Sequence, residues 1–223
     1  MSAIDWSRLP MMAYVWAQRL MTLDITHLMQ LHVAQLKPDE APPVGVEFRF
    51  LSAAEVQHFA TVSSEWNLTP DLADRLIGGR NFCFGAFREG QLASYAWLAL
   101  QFIEPEHNQG RSPGSGVGLS FPDHYAFLYK AFTHPTDRGH RLYGHVTRRA
   151  LDSLQPYGVT SLLSTAEWTN RAALTSCWRV GYEDLGLVWR FGWGRLPFTI
   201  RPRRAASLGI RVSPSSGPRW DHK

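Results

Sequence analysis

A chain of 223 residues with 44% hydrophobic and 19% charged side chains can bury one substantial core, which excludes a disordered polymer. The formal net charge of +4 suits a phosphate-rich ligand without proving one. Much of that charge sits at Arg201, Arg203, Arg204, Arg211 and Arg219, which reads as a solvated basic tail. Two cysteines, Cys83 and Cys177, are too few for a disulfide framework and lack metal-ligand spacing, so no metal site is expected. No apolar run approaches the roughly 18 residues of a membrane span, and the N-terminal stretch lacks a signal-peptide pattern. These features together predict a cytoplasmic protein with reduced thiols.

Residues 1–44 read as an appendage: Met11, Met12, Val15 and Leu20 suit a short helix, Leu31 to Leu36 an extended piece, and the prolines of 38–43 a linker. From Val44 to Phe50 the pattern alternates as in a strand. Ser52 with Glu55 makes a capping box for one helix, and Thr69-Pro70-Asp71 starts a second that Gly78-Gly79 closes. Asn81 to Phe87 and Gln91 to Phe102 form a hairpin about Arg88-Glu89-Gly90, and a polar, glycine-rich interruption over 104–122 precedes a strand at His124 to Thr133. Within the interruption, Gly114, Gly116 and Gly118 mimic a nucleotide-binding loop, but no helix follows them, so they are read as a loop that could close over a substrate.

Leu142, Val146, Ala150 and Leu154 then mark one apolar stripe of a helix. Val159 to Ala166 is a buried-type strand, Thr169 is placed to cap a helix ending at Gly181, and Leu185 to Trp193 resumes strand character. The order of elements is that of an α/β domain over 45–196, with a basic, flexible tail over 197–223.

Chemistry concentrates in Ala131-Phe-Thr-His-Pro-Thr-Asp-Arg-Gly-His-Arg-Leu-Tyr-Gly144, where a strand gives way to a helix. Amides at a helix N-terminus lack intrahelical partners and carry the positive end of the dipole, so such a turn can cradle a pyrophosphate. Arg138, His140 and Arg141 add charge beside it.

This segment resembles the cofactor motif of the GNAT superfamily of N-acetyltransferases, matching it at Thr133, Pro135, Arg138 and Gly139. Asn170-Arg-Ala-Ala-Leu-Thr-Ser-Cys-Trp-Arg-Val-Gly-Tyr182 looks like the family's Asn-x-x-Ala helix, and the stretch from Cys83 resembles its central hairpin. The resemblance spans about residues 45–193 and implies a mostly antiparallel mixed sheet, splayed between two strands and flanked by helices.

What the resemblance implies chemically is direct acyl transfer from acetyl-CoA, or another acyl-CoA, to the amine of a small molecule. The backbone at Phe132 or Thr133 would polarise the thioester carbonyl. Arg138, Gly139, His140, Arg141, Leu142, Tyr143 and Gly144 would hold the pyrophosphate, and Asn170 would support the cofactor. The family's second and third loop glycines are replaced by Arg141 and Tyr143. Where relatives place a leaving-group acid on the later helix, this chain has Cys177. Glu167 is the first candidate for general base, and Tyr129 lies on a strand position that faces the acceptor in the family. A longer acyl donor, a carrier-protein thioester and a degenerate binding domain stay open as alternatives. Nucleic-acid binding is not expected because the basic residues do not interleave with aromatics. The acceptor's identity and the oligomeric state, a homodimer included, are open.

Overall fold

The computed structural model of the chain describes residues 9–36, 41–108, 116–193 and 196–213. In chain order the elements are α1 (Leu9–Leu20), β1 (Thr22–His32), β2 (Val46–Phe50), α2 (Ala53–Val62), α3 (Asp71–Ile77), β3 (Asn81–Arg88), β4 (Gln91–Leu100) and β5 (Phe102–Ile103). They continue with β6 (Gly118–Ser120), β7 (Tyr125–Thr133), α4 (Leu142–Leu154), β8 (Ser161–Glu167), α5 (Arg171–Val180) and β9 (Glu183–Trp193). Last come β10 (Leu196–Ile200), α6 (Arg203–Ser207) and β11 (Arg211–Ser213).

Eight strands form the main sheet in the order β10-β9-β1-β8-β7-β4-β3-β2, and β11-β6-β5 form a small second one. Within the main sheet, β7 and β8 are the one parallel pair, because α4 carries the chain over the sheet between them; the other neighbours are antiparallel. The β3–β4 hairpin closes through Glu89 (φ 50°) and Gly90 (φ 77°), a two-residue turn whose left-handed pair matches the twist of the strands. β4 is buried along nearly its whole length, as a strand covered on both faces must be.

The two faces have separate cores. Ala96, Leu98, Ala126, Leu128 and Leu162 pack under α4 and α5, with the expected stripe of Leu142, Val146, Ala150 and Leu154 buried against them. Tyr95, Trp97 and Phe87 face the other way, under α2 and α3, and Phe127 and Leu163 pack there against the small sheet and α6. Ser52 and Glu55 form the expected capping box at the start of α2. Asn170, rather than Thr169, caps α5: its Oδ1 accepts the Ala173 N–H at 3.1 Å.

Two boundary expectations change. Residues 22–32 were assigned to an appendage, yet β1 lies inside the sheet, antiparallel to β8 on one edge and β9 on the other. Leu28, Met29 and Leu31 are at most 1% exposed there. The sequence from Thr22 mixes Asp24, Thr26 and His27 among its apolar residues, which hides a strand whose neighbours supply the burial. Likewise the tail after Pro197 is not loose throughout: β10 extends the sheet, and Ala205 and Ile210 are each 1% exposed against the second core.

Candidate functional site at the splayed strands

β7 and β8 pair from Tyr125↔Ser161 to Leu128↔Ser164 and no further, although both strands continue. The cause lies on the far edge of β7. There the pairing with β4 slips between Leu98↔Leu128 and Trp97↔Lys130, leaving Tyr129 as the extra residue of a bulge. A bulge bends and overtwists its strand, and here it turns the end of β7 away from β8. Ser164 Oγ donates to the Leu128 carbonyl at 2.9 Å, closing the apex of the wedge. Past the apex Ala131 is exposed in the middle of a sheet strand, so a cleft opens there.

Backbone polarity in the cleft follows from the antiparallel ladder. The His134 N–H donates to Ala93 O at 2.9 Å, and the two-residue alternation turns Phe132 the same way. Ala131 and Thr133 therefore present their backbone groups to the open edge. Arg138 Nε donates to the Thr133 carbonyl at 3.3 Å, as that direction requires. Of the two positions expected to meet a thioester carbonyl, Thr133 faces the gap and Phe132 faces β4.

The following loop is held from below. Pro135–Asp137 form a 3-10 turn, and Arg88 at the hairpin tip reaches Asp137 Oδ1 at 2.6 Å. Thr136 links that carboxylate to His134, whose Nε2 lies 3.4 Å from Glu65 and whose ring stacks obliquely on Trp66 at 5.0 Å. Gly139 has φ +84°, and a Cβ built there would meet nothing within 4 Å. This glycine serves backbone conformation in front of open space. Arg138, Gly139, His140 and Arg141 are all exposed at the mouth, and Arg141 itself is left-handed at φ 57°.

The remaining loop candidates divide differently from the expectation. Leu142 is 1% exposed, so only its amide can face a ligand. Tyr143 turns its side chain into the α4–α5 interface, where its hydroxyl lies 3.4 Å from Cys177 Sγ. Gly144 packs against α5, with a Cβ position 3.4 Å from Val180, and its N–H is taken by Arg141 O at 2.9 Å. Gly144 is thus a helix-packing residue and its amide is spent. Asn170 likewise uses its side-chain oxygen on the α5 cap.

The three catalytic candidates do not meet in one cluster. Cys177 is 4% exposed in the core under α4 and α5, and burial raises its pKa, opposed by the Tyr143 hydroxyl. Tyr129 packs on the opposite face of the sheet, where burial raises its pKa and the Arg75 charge opposes that rise. Glu167 ends β8 opposite Thr26 of β1 and acts on Tyr14 of α1, whose hydroxyl is pushed up to about 12, chiefly by burial.

Around Tyr129 stand groups that the sequence reading passed over. Arg75 bridges Glu104 at 2.6 Å and the Asn81 oxygen at 3.3 Å, and Tyr129 donates to the same Asn81 oxygen at 3.4 Å. The His107 ring lies 5.6 Å from that of Tyr129, and burial, then the Arg75 charge, lower its pKa. Thr165 of β8 donates to Asn108 Oδ1 at 2.6 Å. Asn108 and Val117 are zipped together by two further hydrogen bonds at 2.8 and 3.1 Å, so the glycine-rich segment leaves and rejoins the fold beside the cleft. Gly116 is fixed by sterics: a Cβ there would come within 1.8 Å of the Pro105 carbonyl oxygen. Gly114 lies outside the described residues. The one local signal for this region was Lys130, a charge inside an otherwise uncharged strand.

Among the described residues no three His, Cys, Asp or Glu side chains converge as a metal site, and no helix is long and apolar enough to cross a membrane. A cavity of about 260 Å³ between β2, β3 and α3 is lined mainly by apolar residues, among them Phe50, Leu76 and Cys83, and also by Asn81.

No family model and no curated protein matches the chain. Solved structures do. A GNAT-family acetyltransferase from Colwellia psychrerythraea is 11% identical with a TM-score of 0.52, over 87% of this chain and 76% of that one. A GCN5-related N-acetyltransferase-like protein from Streptococcus suis is 14% identical at TM-score 0.50, over 86% and 69%. A tandem GNAT protein from the clavulanic acid biosynthesis pathway is 17% identical at TM-score 0.52; the match covers 76% of this chain and about half, 53%, of that protein. The chain shares the fold of these structures: a mixed, mostly antiparallel sheet flanked by helices.

Proposed function

We propose that the protein is an acyl-CoA-dependent N-acyltransferase that moves an acetyl group from acetyl-CoA to the primary amine of a small molecule, acting in the cytoplasm. The observation that carries this reading is the wedge between β7 and β8 leading directly to the exposed turn at Gly139 and the start of α4. The wedge offers unpaired strand edges to an amide-bearing arm such as pantetheine. The first amides of α4, at Leu142 and Tyr143, offer donors to its pyrophosphate, with Arg138 alongside. The amine nitrogen attacks the thioester carbonyl, the C–N bond forms as the C–S bond breaks, and the proton lost by nitrogen ends on the CoA thiolate. In this reading the Thr133 backbone edge would stabilise the developing oxyanion, and His107 or Glu167 would accept the proton.

A second reading, a binding domain without turnover, is favoured by one observation: Tyr143 occupies the α4–α5 interface where the family has a small residue. Calorimetric titration with acetyl-CoA, a longer acyl-CoA and free CoA tests the first. Micromolar binding that weakens on Arg138→Ala supports it, and thiol release with an amine separates transfer from binding. Absence of binding to all three would overturn it.

A further inference from the structure

The face of the sheet opposite α4 carries a cation, Lys130, whose one acidic neighbour, Asp71, acts on it without forming an ion pair among the described residues. Lys130 follows the bulged Tyr129 and pairs with Trp97 in the ladder. The ionisable groups acting on it are Asp71, at the start of α3, and the Cys83 thiol, which set it on the α2/α3 face of the sheet. The side chain is half-buried, and burial holds its pKa below the ordinary lysine value, with Asp71 only opposing that fall. Among the described residues no ion pair or hydrogen bond reaches its ammonium.

Two of the nearby polar pairs on this face are matched, while Trp97 Nε1 and Arg75 Nε have no hydrogen-bond partner among the described residues. Arg75 and Glu104 neutralise each other at 2.6 Å, and Thr165 satisfies Asn108. Lys130 is the cation of this wall that no carboxylate contacts, with Asp71 acting on it from farther away. Aromatic residues flank it along β7: Tyr129 precedes it, and Phe132, two residues on, sits 6.0 Å from both Trp66 and Tyr95. A partly desolvated ammonium with no carboxylate in contact is costly, and that cost falls if an anion arrives with a ligand. The donor's phosphates belong to the other face, at the α4 turn, so the anion is the acceptor's. A simple cationic amine would be repelled here. An amine with a carboxylate beside it would be drawn in, and the neighbouring ammonium would also lower the amine's pKa toward the reactive neutral form.

We propose that the acceptor is a carboxylate-bearing primary amine of the amino-acid class with an apolar or aromatic side chain, its carboxylate paired with Lys130 and its side chain against Trp66 and Phe132. This rests on the acyltransfer reading above. Acylation joins the amine nitrogen to the acyl carbon and releases CoA thiol; the carboxylate is not consumed.

The test uses the full chain, acetyl-CoA, and three matched acceptors: L-phenylalanine, L-phenylalaninamide and 2-phenylethylamine. Thiol release should favour L-phenylalanine over the other two by about ten-fold or more in kcat/KM. Lys130→Met should bring that ratio close to one, and Lys130→Arg should keep part of it. Equal or better turnover of the amide or the plain amine, or an unchanged ratio in Lys130→Met, overturns the assignment. So does failure of all three to turn over while acetyl-CoA binds. Calorimetry with acetyl-CoA alone separates the two levels: loss of binding there sinks the acyltransfer reading, whereas intact binding with the wrong acceptor preference sinks only the role of Lys130.

Discussion

The sharpest perturbation is Gly139→Val, because structure separates its two effects. At φ +84° the residue sits where an L side chain strains the backbone, yet a Cβ would touch nothing within 4 Å. Steric collision therefore contributes nothing in the free protein, and the cost is conformational, about 1–2 kcal/mol for leaving a non-glycine residue left-handed. The loop is exposed and can relax before a ligand arrives, so global stability should change little. Binding then has to restore the strained turn, which weakens acetyl-CoA by about 5- to 30-fold. Gly90→Val is the control: φ +77°, equally open space, but at the hairpin tip. Calorimetry should show weakened binding for Gly139→Val and wild-type affinity for Gly90→Val. Equal affinity of Gly139→Val and wild type, or an equal loss in both variants, would refute the assignment of this turn to the cofactor.

Deleting residues 1–44 should abolish folding, read by solubility and circular dichroism, because it strips β1 from between β8 and β9. Leu28, Met29 and Leu31 alone contribute about 2–3 kcal/mol each by burial, comparable in sum with the whole stability of a typical domain. Neither thiol should react with a disulfide reagent near pH 8 until the protein unfolds: Cys83 and Cys177 are 0% and 4% exposed and burial raises both pKa values. Glu55 is held down to about 2, first by the Arg49 hydrogen bond, so its contribution is complete above its ordinary value near 4.5 and fades as pH falls toward 2. Glu55→Gln should flatten that part of the acid unfolding curve, by less than about 1 kcal/mol given its exposure.

Local chemistry made much of the fold legible. The capping box at Ser52, the left-handed Glu89-Gly90 turn, the four-residue stripe from Leu142 to Leu154 and the stop at Gly181 each depend on a few neighbouring residues, so the sequence states them directly. The strand-to-helix turn at Arg138 and Gly139 was readable for the same reason.

What depended on partners distant in the chain was not readable. β1 looks too polar for a central strand, and only β8 and β9 on its edges and the cores above and below make it one. The α4–α5 packing that consumes Tyr143, Gly144 and Cys177 could not be separated from ligand contact by sequence spacing alone. The face of the sheet under α3 joins Arg75, Glu104, His107, Tyr129, Lys130 and Thr165, whose proximity depends on a bulge at Tyr129 and on β8 arriving through the α4 crossover. Sequence by itself determined the capped helices, the hairpin and the strand-to-helix turn at Gly139, because caps, turns and periodicity are short-range. Tertiary structure decided which side chains share a cleft and which are spent in the core, because strand order and register are set by long-range pairing and burial.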